Sequence, residues 1–292
     1  MVHYGPGPGV RPGLVGPTLR PKVVLKLGGS TMTDGGLEDA FAEDVAWLVD
    51  EGADVVIVHG GGAGITALAS ALGMRTTFID GQRYTDEETI ELVEMTLAGR
   101  MNKEIVRALR AQQVNAFGLS GVDGGLLAGE RHDAGGIDLG LVGHVTEVDV
   151  DVLGLLWRSR MVPVIAPLAL SSDGAVLNVN ADLAAAAVAE ATGAVALVYL
   201  SDVEGVHSSD GLVDILQSDG ARALIDAGEI TGGMVPKVLS ALDSLDNGVA
   251  SVAILDGRRP HSLRDYFKGE PIGTRIVRDA APLSEMAAAL AA

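Results

Sequence analysis

Two apolar runs, each closing in glycines and opening into a helical pattern, constrain this chain more than any other feature. They are Val23-Val24-Leu25-Lys26-Leu27-Gly28-Gly29-Ser30 and Val55-Val56-Ile57-Val58-His59-Gly60-Gly61-Gly62. Strand, glycine turn and helix in that order is the unit from which a mostly parallel sheet, covered on both faces, is assembled. Lys26 sharpens the reading. An ammonium at the end of a buried strand costs free energy unless an anion meets it, and the adjoining glycines bare N–H groups to the same anion. A polar residue before a glycine turn is ordinary by itself. The repeat carries the weight, because two neighbouring strand ends can present donors to one polyphosphate.

From Pro21 onward, strand and helix patterns alternate. They predict strands near 22–28, 53–59, 114–120, 161–166, 194–200 and 250–255. Helices are predicted over 37–51, 63–73, 86–112, 149–159, 180–193, 218–227 and 235–247. Residues 124–146 and 168–178 read as β-hairpins, turning at Gly135-Gly136 and Ser172-Asp173-Gly174. Short extended pieces at Thr76–Ile79 and Gln82–Tyr84 are expected to form a lid, with Thr85 as N-cap and Glu88 completing a capping box for the next helix. Residues 1–21, rich in Gly and Pro, are expected to form a flexible arm, and 22–292 a single domain. Two lobes are expected to share its sheet, 22–170 and 171–292, the second entering its first helix after Asn180.

Several function classes fall away on composition. The chain has no cysteine, which removes disulfides, thiolate metal sites and thiol catalysis, and its six histidines show no paired ligand spacing. No run of 18 apolar residues occurs, and the first residues lack the basic and apolar regions of a secretory signal, so a cytoplasmic, membrane-free protein is expected. A formal charge of −18, from 21 Lys plus Arg against 39 Asp plus Glu, repels nucleic acid. The same field disfavours anionic small molecules, so the few cations beside the glycine turns gain importance, and Mg²⁺ would help.

Further groups bear on chemistry. In Asp80-Gly81-Gln82-Arg83-Tyr84-Thr85-Asp86 a guanidinium lies between turn-forming acids, where it can grip a carboxylate; a surface ion pair is the plainer reading. Asn178 and Asn180 share a strand face, and Asp182 follows at a helix start. Capping explains one of these three, not all. Thr231-Gly232-Gly233-Met234-Val235-Pro236-Lys237 starts a helix with a lysine where cations are disfavoured, which points to an anion between lysine and helix; a solvent-facing lysine is the alternative. Ser201-Asp202-Val203 ends an apolar strand at the sheet edge where α/β proteins bind nucleotides, although Asp202 also suits a simple turn. Gly118–Gly124 resembles the first turns but has no lysine, and is expected to shape a pocket or hairpin.

Lys26-Leu27-Gly28-Gly29-Ser30, His59-Gly60-Gly61-Gly62, Asp80 to Asp86, Asn178-Val179-Asn180-Ala181-Asp182 and Gly232 to Lys237, in this order and spacing, resemble the amino acid kinase family over about residues 22–277. The resemblance implies an α/β fold, a three-layer αβα sandwich with a mostly parallel central sheet. It also implies ATP-dependent phosphorylation of the side-chain carboxylate of an N-acylated amino acid, N-acetyl-L-glutamate in the branch it most resembles, to an acyl phosphate in arginine biosynthesis. Lys26 and Lys237 would contact the transferring phosphoryl group, oriented by Asp182. Gly28, Gly29 and Gly61 would offer N–H groups. Gly61, Gly62, Arg83, Asn178 and Asn180 would bound the acceptor. Gly28, Gly29, Ser30, Ser201, Asp202, Gly232, Gly233 and Lys237 would frame the nucleotide, with Mg²⁺ carried on ATP phosphates and no metal cage in the protein. Two departures stand out. Ser30-Thr31 replace the usual Asn-Ala, and a Gly/Pro-rich start replaces the N-terminal helix that joins arginine-inhibited members into hexamers. A homodimer insensitive to arginine is therefore expected. The stripe Ile90, Val93, Leu97, Met101 and Ile105 either forms its interface or faces the protein's own core. Alternatives are a kinase for an amino acid held on a small carrier protein, and a non-catalytic nucleotide-binding regulator, against which the two lysines argue. A dinucleotide dehydrogenase lacks its Gly-x-Gly-x-x-Gly signature here.

Overall fold

The computed structural model describes residues 20–28, 39–79, 81–132 and 136–278. The expected arm up to residue 19, Gly29, Ser30, Thr31, Asp80 and Gly135 lie outside the described residues. Strands β1 (Lys22–Leu27), β2 (Asp54–His59), β5 (Ala116–Ser120), β8 (Val162–Ala166), β11 (Ala196–Ser201), β14 (Ile215–Gln217), β15 (Val252–Asp256) and β16 (Thr274–Val277) form an eight-stranded sheet ordered β14-β16-β15-β11-β1-β2-β8-β5. The pairings from β15 to β5 are parallel, and only β16 runs antiparallel to its neighbour β15. The mostly parallel expectation holds.

Strand periodicity divides the core in two. Val23, Leu25 and Leu27 of β1 pack on one face with Val55, Ile57, Val198 and Leu255, under α1 (Asp39–Asp50) and α9 (Ser262–Phe267). Val24, Val56, Leu197, Tyr199 and Ile254 point to the other face, toward α6 (Ala181–Thr192) and α8 (Met234–Asp246). Helices on both faces of one sheet make three layers. Because Lys26 has the parity of Val24, it shares the face of α6 and α8, and its register partner on β11 is Tyr199.

Beside the sheet, β6 (Leu127–Arg131), β7 (Val142–Val148), β9 (Leu168–Leu170) and β10 (Val176–Val179) close into a small barrel. Both predicted hairpins are there: β6 pairs antiparallel with β7, and β9 with β10. The predicted lid is the two-residue pair β3 (Phe78–Ile79) and β4 (Gln82–Arg83). The 118–124 turn feeds β6, with Asp123 accepting from the Ser120 N–H and hydroxyl.

Several expectations need correction. The helix over 86–112 is α3 (Glu87–Glu94), a π-helical segment (Met95–Met101) and α4 (Asn102–Ala111). Its N-cap is Asp86, accepting from the Thr89 N–H at 2.8 Å, and not Thr85. Thr85 is buried, and its hydroxyl donates to the Arg83 carbonyl. The stripe of Ile90, Val93, Leu97, Met101 and Ile105 is buried within this one chain, so it supports the protein's own core rather than a partner's. β14 and β16, of three and four residues, and α9, of six residues and so less than two turns, escape the sequence reading because each is too short to show its period. The predicted strands of the sheet have five or six residues.

His59 closes β2 with no exposure at all. Its Nδ1 lies 3.0 Å from the Gly60 carbonyl and its Nε2 3.2 Å from Asn102 Nδ2, which fits a neutral ring donating to the first and accepting from the second. Burial pushes its pKa down from 6.5 to about 4. Above pH 6.5 the ring is neutral both folded and unfolded and adds no pH dependence. Below it, the unfolded chain takes up a proton that the folded chain refuses, so stability falls with pH until about 4, by up to about 3 kcal/mol. Urea unfolding between pH 4 and 7 should therefore show a steeper acid loss for the native sequence than for His59→Gln, which keeps a donor and an acceptor. Parallel curves would remove His59 as the cause.

Candidate active site

The C-terminal ends of β1 and β2, the start of α6, the barrel and the β3–β4 pair surround a cleft of about 300 Å³. Lys26, Gly61, Gly62, Arg83, Asn178, Asn180 and Asp182, all singled out in the sequence, line it.

At one end Asp182 sits between two ammonium groups. Lys26 Nζ lies 2.6 Å from Oδ1, and Lys237 Nζ donates to Oδ2 at 2.7 Å. The lysines come from opposite halves of the chain, Lys26 from β1 and Lys237 from the first turn of α8. Asp182 is free to bridge them because Asn180 does the capping: its Oδ1 accepts from the N–H groups of Asp182 and Leu183. Burial acts to raise the Asp182 pKa, but the two lysines outweigh it and hold the carboxyl below its usual value. The stabilisation from its ionised form is thus present at neutral pH and is lost only on acidification below the ordinary carboxylate range. Tyr199 lies on the sheet beneath, its ring centroid 5.9 Å from Lys237 Nζ.

Arg83 marks the other end, 7% exposed. One terminal nitrogen donates to the Gly62 carbonyl at 3.0 Å and to Thr66 Oγ1 at 2.8 Å, and the guanidinium stacks 4.7 Å from the Phe78 ring. Its other terminal nitrogen, Nη1, is buried with no hydrogen-bond partner, so the cleft offers an unmatched cationic donor. Burial lowers the Arg83 pKa from its ordinary value, though a guanidinium stays protonated at neutral pH. Asn178 Nδ2 donates to Thr85 Oγ1 at 3.1 Å, leaving its carbonyl oxygen uncommitted among the described bonds. Thr66, Phe78 and Tyr199 escaped the sequence reading as site residues, and Thr85 was read there as a helix cap. Thr66 alone left a faint signal, one helical turn after Gly62 in α2 (Gly62–Ala71).

The floor between the two ends is backbone. A Cβ at Gly61 would lie 2.3 Å from Met101 Sδ and 2.4 Å from Leu97 Cδ2, so the π-helical segment packs against the glycine turn where no side chain fits. Gly28 departs from expectation. Its N–H donates to the Leu200 carbonyl at 2.9 Å, extending the β1–β11 ladder, and is not offered to a ligand.

Ser201, Asp202, Gly232 and Gly233, expected to frame a nucleotide, are not among the residues lining this cleft. Ser201 ends β11 with a buried hydroxyl that has no hydrogen-bond partner, while Asp202 is exposed. Gly232, at φ 58°, and Gly233 lead into α8, whose first N–H groups have no side-chain cap. Positive φ at 232 explains glycine there. Among the described residues no three His, Cys, Asp or Glu gather as a metal site, and no helix is long and apolar enough to cross a membrane.

The chain is 44% identical over 258 residues to an acetylglutamate kinase of Chlorobaculum tepidum, covering 88% of this chain and 90% of the relative. Proteins of the same name from Agrobacterium fabrum and Brucella canis are 44% and 45% identical, each spanning 87% of this chain and 90% of their own. Among solved structures, the N-acetylglutamate synthase of Neisseria gonorrhoeae complexed with coenzyme A and N-acetyl-glutamate superposes with a TM-score of 0.79 at 28% identity, over 90% of this chain and 61% of that one. A carbamate kinase of Giardia lamblia bound to AMP-PNP, at 16% identity and a TM-score of 0.62 over 89% of this chain and 99% of its own, shares the fold. With a family profile matching residues 21–256, the chain belongs to the amino acid kinase family.

Proposed function

We propose that this protein transfers the γ-phosphoryl group of ATP to the side-chain carboxylate of N-acetyl-L-glutamate, forming the acyl phosphate used in arginine biosynthesis. The observation that carries the reading is the pair of ammonium groups on Asp182 at one end of a cleft whose other end holds Arg83. The names of relatives 40–45% identical supply the acceptor.

An acceptor carboxylate is already ionised at neutral pH and needs no general base. One of its oxygens attacks the γ-phosphorus, the new P–O bond forms, the bond to the β,γ-bridging oxygen breaks, and ADP leaves with that electron pair. No proton moves. Catalysis is then positioning and charge stabilisation. Arg83 Nη1 and Asn178 hold the α-carboxylate and acyl amide, while Gly61 and Gly62 bound the acceptor. Lys26 from the acceptor side and Lys237 from the nucleotide side neutralise the equatorial oxygens, and Asp182 keeps both heads at the transfer point. Ser201, Asp202, Gly232 and Gly233 frame the nucleotide. Mg²⁺, when bound, rides on the phosphates and spreads their charge; Asp182, the carboxylate lining this cleft, is already shared by two lysines. β10 closes the barrel with β6, β7 and β9, so we extend the acceptor lobe to Val179 and begin the nucleotide lobe at Asn180.

Hydroxylamine trapping of product from ATP and N-acetyl-L-glutamate tests the acceptor. Hydroxamate is expected, and its absence at millimolar substrate would favour an amino acid presented on a carrier protein. Lys237→Ala should lower kcat at least about a hundredfold while nucleotide binding persists; unchanged turnover would remove Lys237 from the mechanism. Arg83→Lys should raise KM for the acyl amino acid roughly tenfold or more with kcat little changed, because a single ammonium cannot reproduce the planar guanidinium grip.

We further propose a homodimer. Among the described strands β5 pairs with β8 alone, and its other edge meets no strand; Phe117 of β5 is 45% exposed. Light scattering should give twice 29.9 kDa for the native chain, and a smaller mass for Phe117→Glu. A native monomer would end that part of the proposal.

A further inference from the structure

α6 meets α8 along a shallow surface. The two helices are in contact; the buried residues of α6 are Ala184, Ala185, Ala186, Val188 and Ala189, and the buried apolar residues of α8 are Val238, Ala241, Leu242 and Leu245. Methyl-sized side chains raise weak ridges, so apolar contact holds the helices together without fixing how far one slides along the other. Yet a slide of one residue moves Lys237 by about 1.5 Å, enough to break its 2.7 Å contact with Asp182.

A polar stripe crosses this apolar face of α8 at Lys237, Ser240, Ser244 and Asn247, spaced three, four and three residues apart. All four are bonded. Lys237 meets Asp182, Ser240 Oγ lies 3.2 Å from Tyr199 OH on β11, and at Glu190 Ser244 Oγ donates to Oε1 and Asn247 Nδ2 to Oε2, each at 3.0 Å. Glu190 is placed against electrostatic preference. It occupies the last turn of α6 and faces the last turn of α8, so its negative charge lies where both helix dipoles are negative. Stability alone does not account for a carboxylate there. A two-pronged grip on the neighbouring helix does.

We propose that Glu190, through Ser244 and Asn247, and Tyr199, through Ser240, are positioning residues that hold α8 at the axial register where Lys237 reaches Asp182. Glu190 stands eight residues after Asp182, about 12 Å along the helix, so it touches neither substrate nor phosphate. The kinetic part of this inference rests on the kinase reading above, and the structural part does not. Asp182 is faced by Lys26 from β1, Lys237 from α8 and Tyr199 from β11, whose phenol burial keeps neutral. Its carboxyl therefore reports directly on where Lys237 stands.

The test titrates the Asp182 carboxyl by ¹³C NMR in the ligand-free full chain, native and with Glu190→Ala, Glu190→Gln or Tyr199→Phe. The native midpoint is expected below the ordinary carboxylate range. Glu190→Ala should move it up toward that range and lower kcat about tenfold, the size of one lost polar contact, with KM for the acyl amino acid within about twofold. Glu190→Gln keeps one acceptor oxygen and puts a donor in place of the other, which the Ser244 hydroxyl can meet by accepting, so it should recover most of both. Tyr199→Phe keeps the ring and removes only the hydroxyl, so it decides the matter should Glu190→Ala fail to fold. A lower melting temperature with an unmoved Asp182 midpoint and unchanged kcat would overturn the proposal and leave the stripe a packing feature. If the native chain makes no hydroxamate, the kinase reading fails while the titration still decides the register.

Discussion

One carboxylate held between two ammonium groups organises this molecule. Lys26 stands near the end of β1 and Lys237 in the first turn of α8, and Asp182, at 2.6 and 2.7 Å from them, touches both. Two like charges brought this near a common point repel, so neither half of the chain would hold its lysine there unaided. Asp182 turns that repulsion into a joint between halves. It also leaves the heads short of acceptors: each ammonium has three donors, and the shared carboxylate engages one of each. The donors that meet no acceptor among the described residues are what an incoming phosphoryl group would meet.

The sheet converts sequence parity into that geometry. Alternate residues of β1 enter opposite cores, so an even-numbered lysine had to face α6 and α8, while Leu25 and Leu27 went to α1 and α9. Parallel pairing then puts Tyr199 beside Lys26 and brings the ends of β1, β2 and β11 to one edge. His59 adds the last constraint. As a neutral, buried ring it ties the Gly60 carbonyl to Asn102 in α4, and so couples the glycine turn to a helix on the far side. In this setting the histidine is scaffold, consistent with a reaction in which no proton is exchanged.

What the sequence revealed and what it hid divide along physical lines. The buried parallel strands were legible because long apolar runs bounded by glycines admit few readings, Lys26 and Lys237 because each is a cation in a place that disfavours one, and Arg83 and Asp182 because each sits in a polar cluster that turn formation or capping explains only in part. Thr66 and Thr85 were not, since a threonine's partner is decided by tertiary contact: Thr85 looked like a cap, and the fold buried it and passed the cap to Asp86. The stripe from Ile90 to Ile105 showed that one face of a helix is apolar without showing what covers it, and the chain covers it by itself. Gly28 shows the same limit in the backbone. A glycine before a turn reads as an open N–H, but the parallel ladder runs one residue further and takes it.

Charge sets the last constraint. With a formal charge of −18 the protein repels the very anions that its cleft is shaped to hold. Long-range repulsion between exposed charges is screened beyond about 10 Å at moderate ionic strength, whereas the interactions of Lys26, 10% exposed, and of buried Arg83 are screened far less. Discrimination therefore operates at contact range. An anion is favoured only once it is inside the cleft, where Arg83 Nη1 and the ammonium heads lack full partners and where the low dielectric strengthens each contact. Asp182 is part of the same balance: by neutralising one positive charge of two, it lets the cations stand together in the absence of ligand, and it leaves a net positive site at the one place where a doubly anionic encounter has to occur.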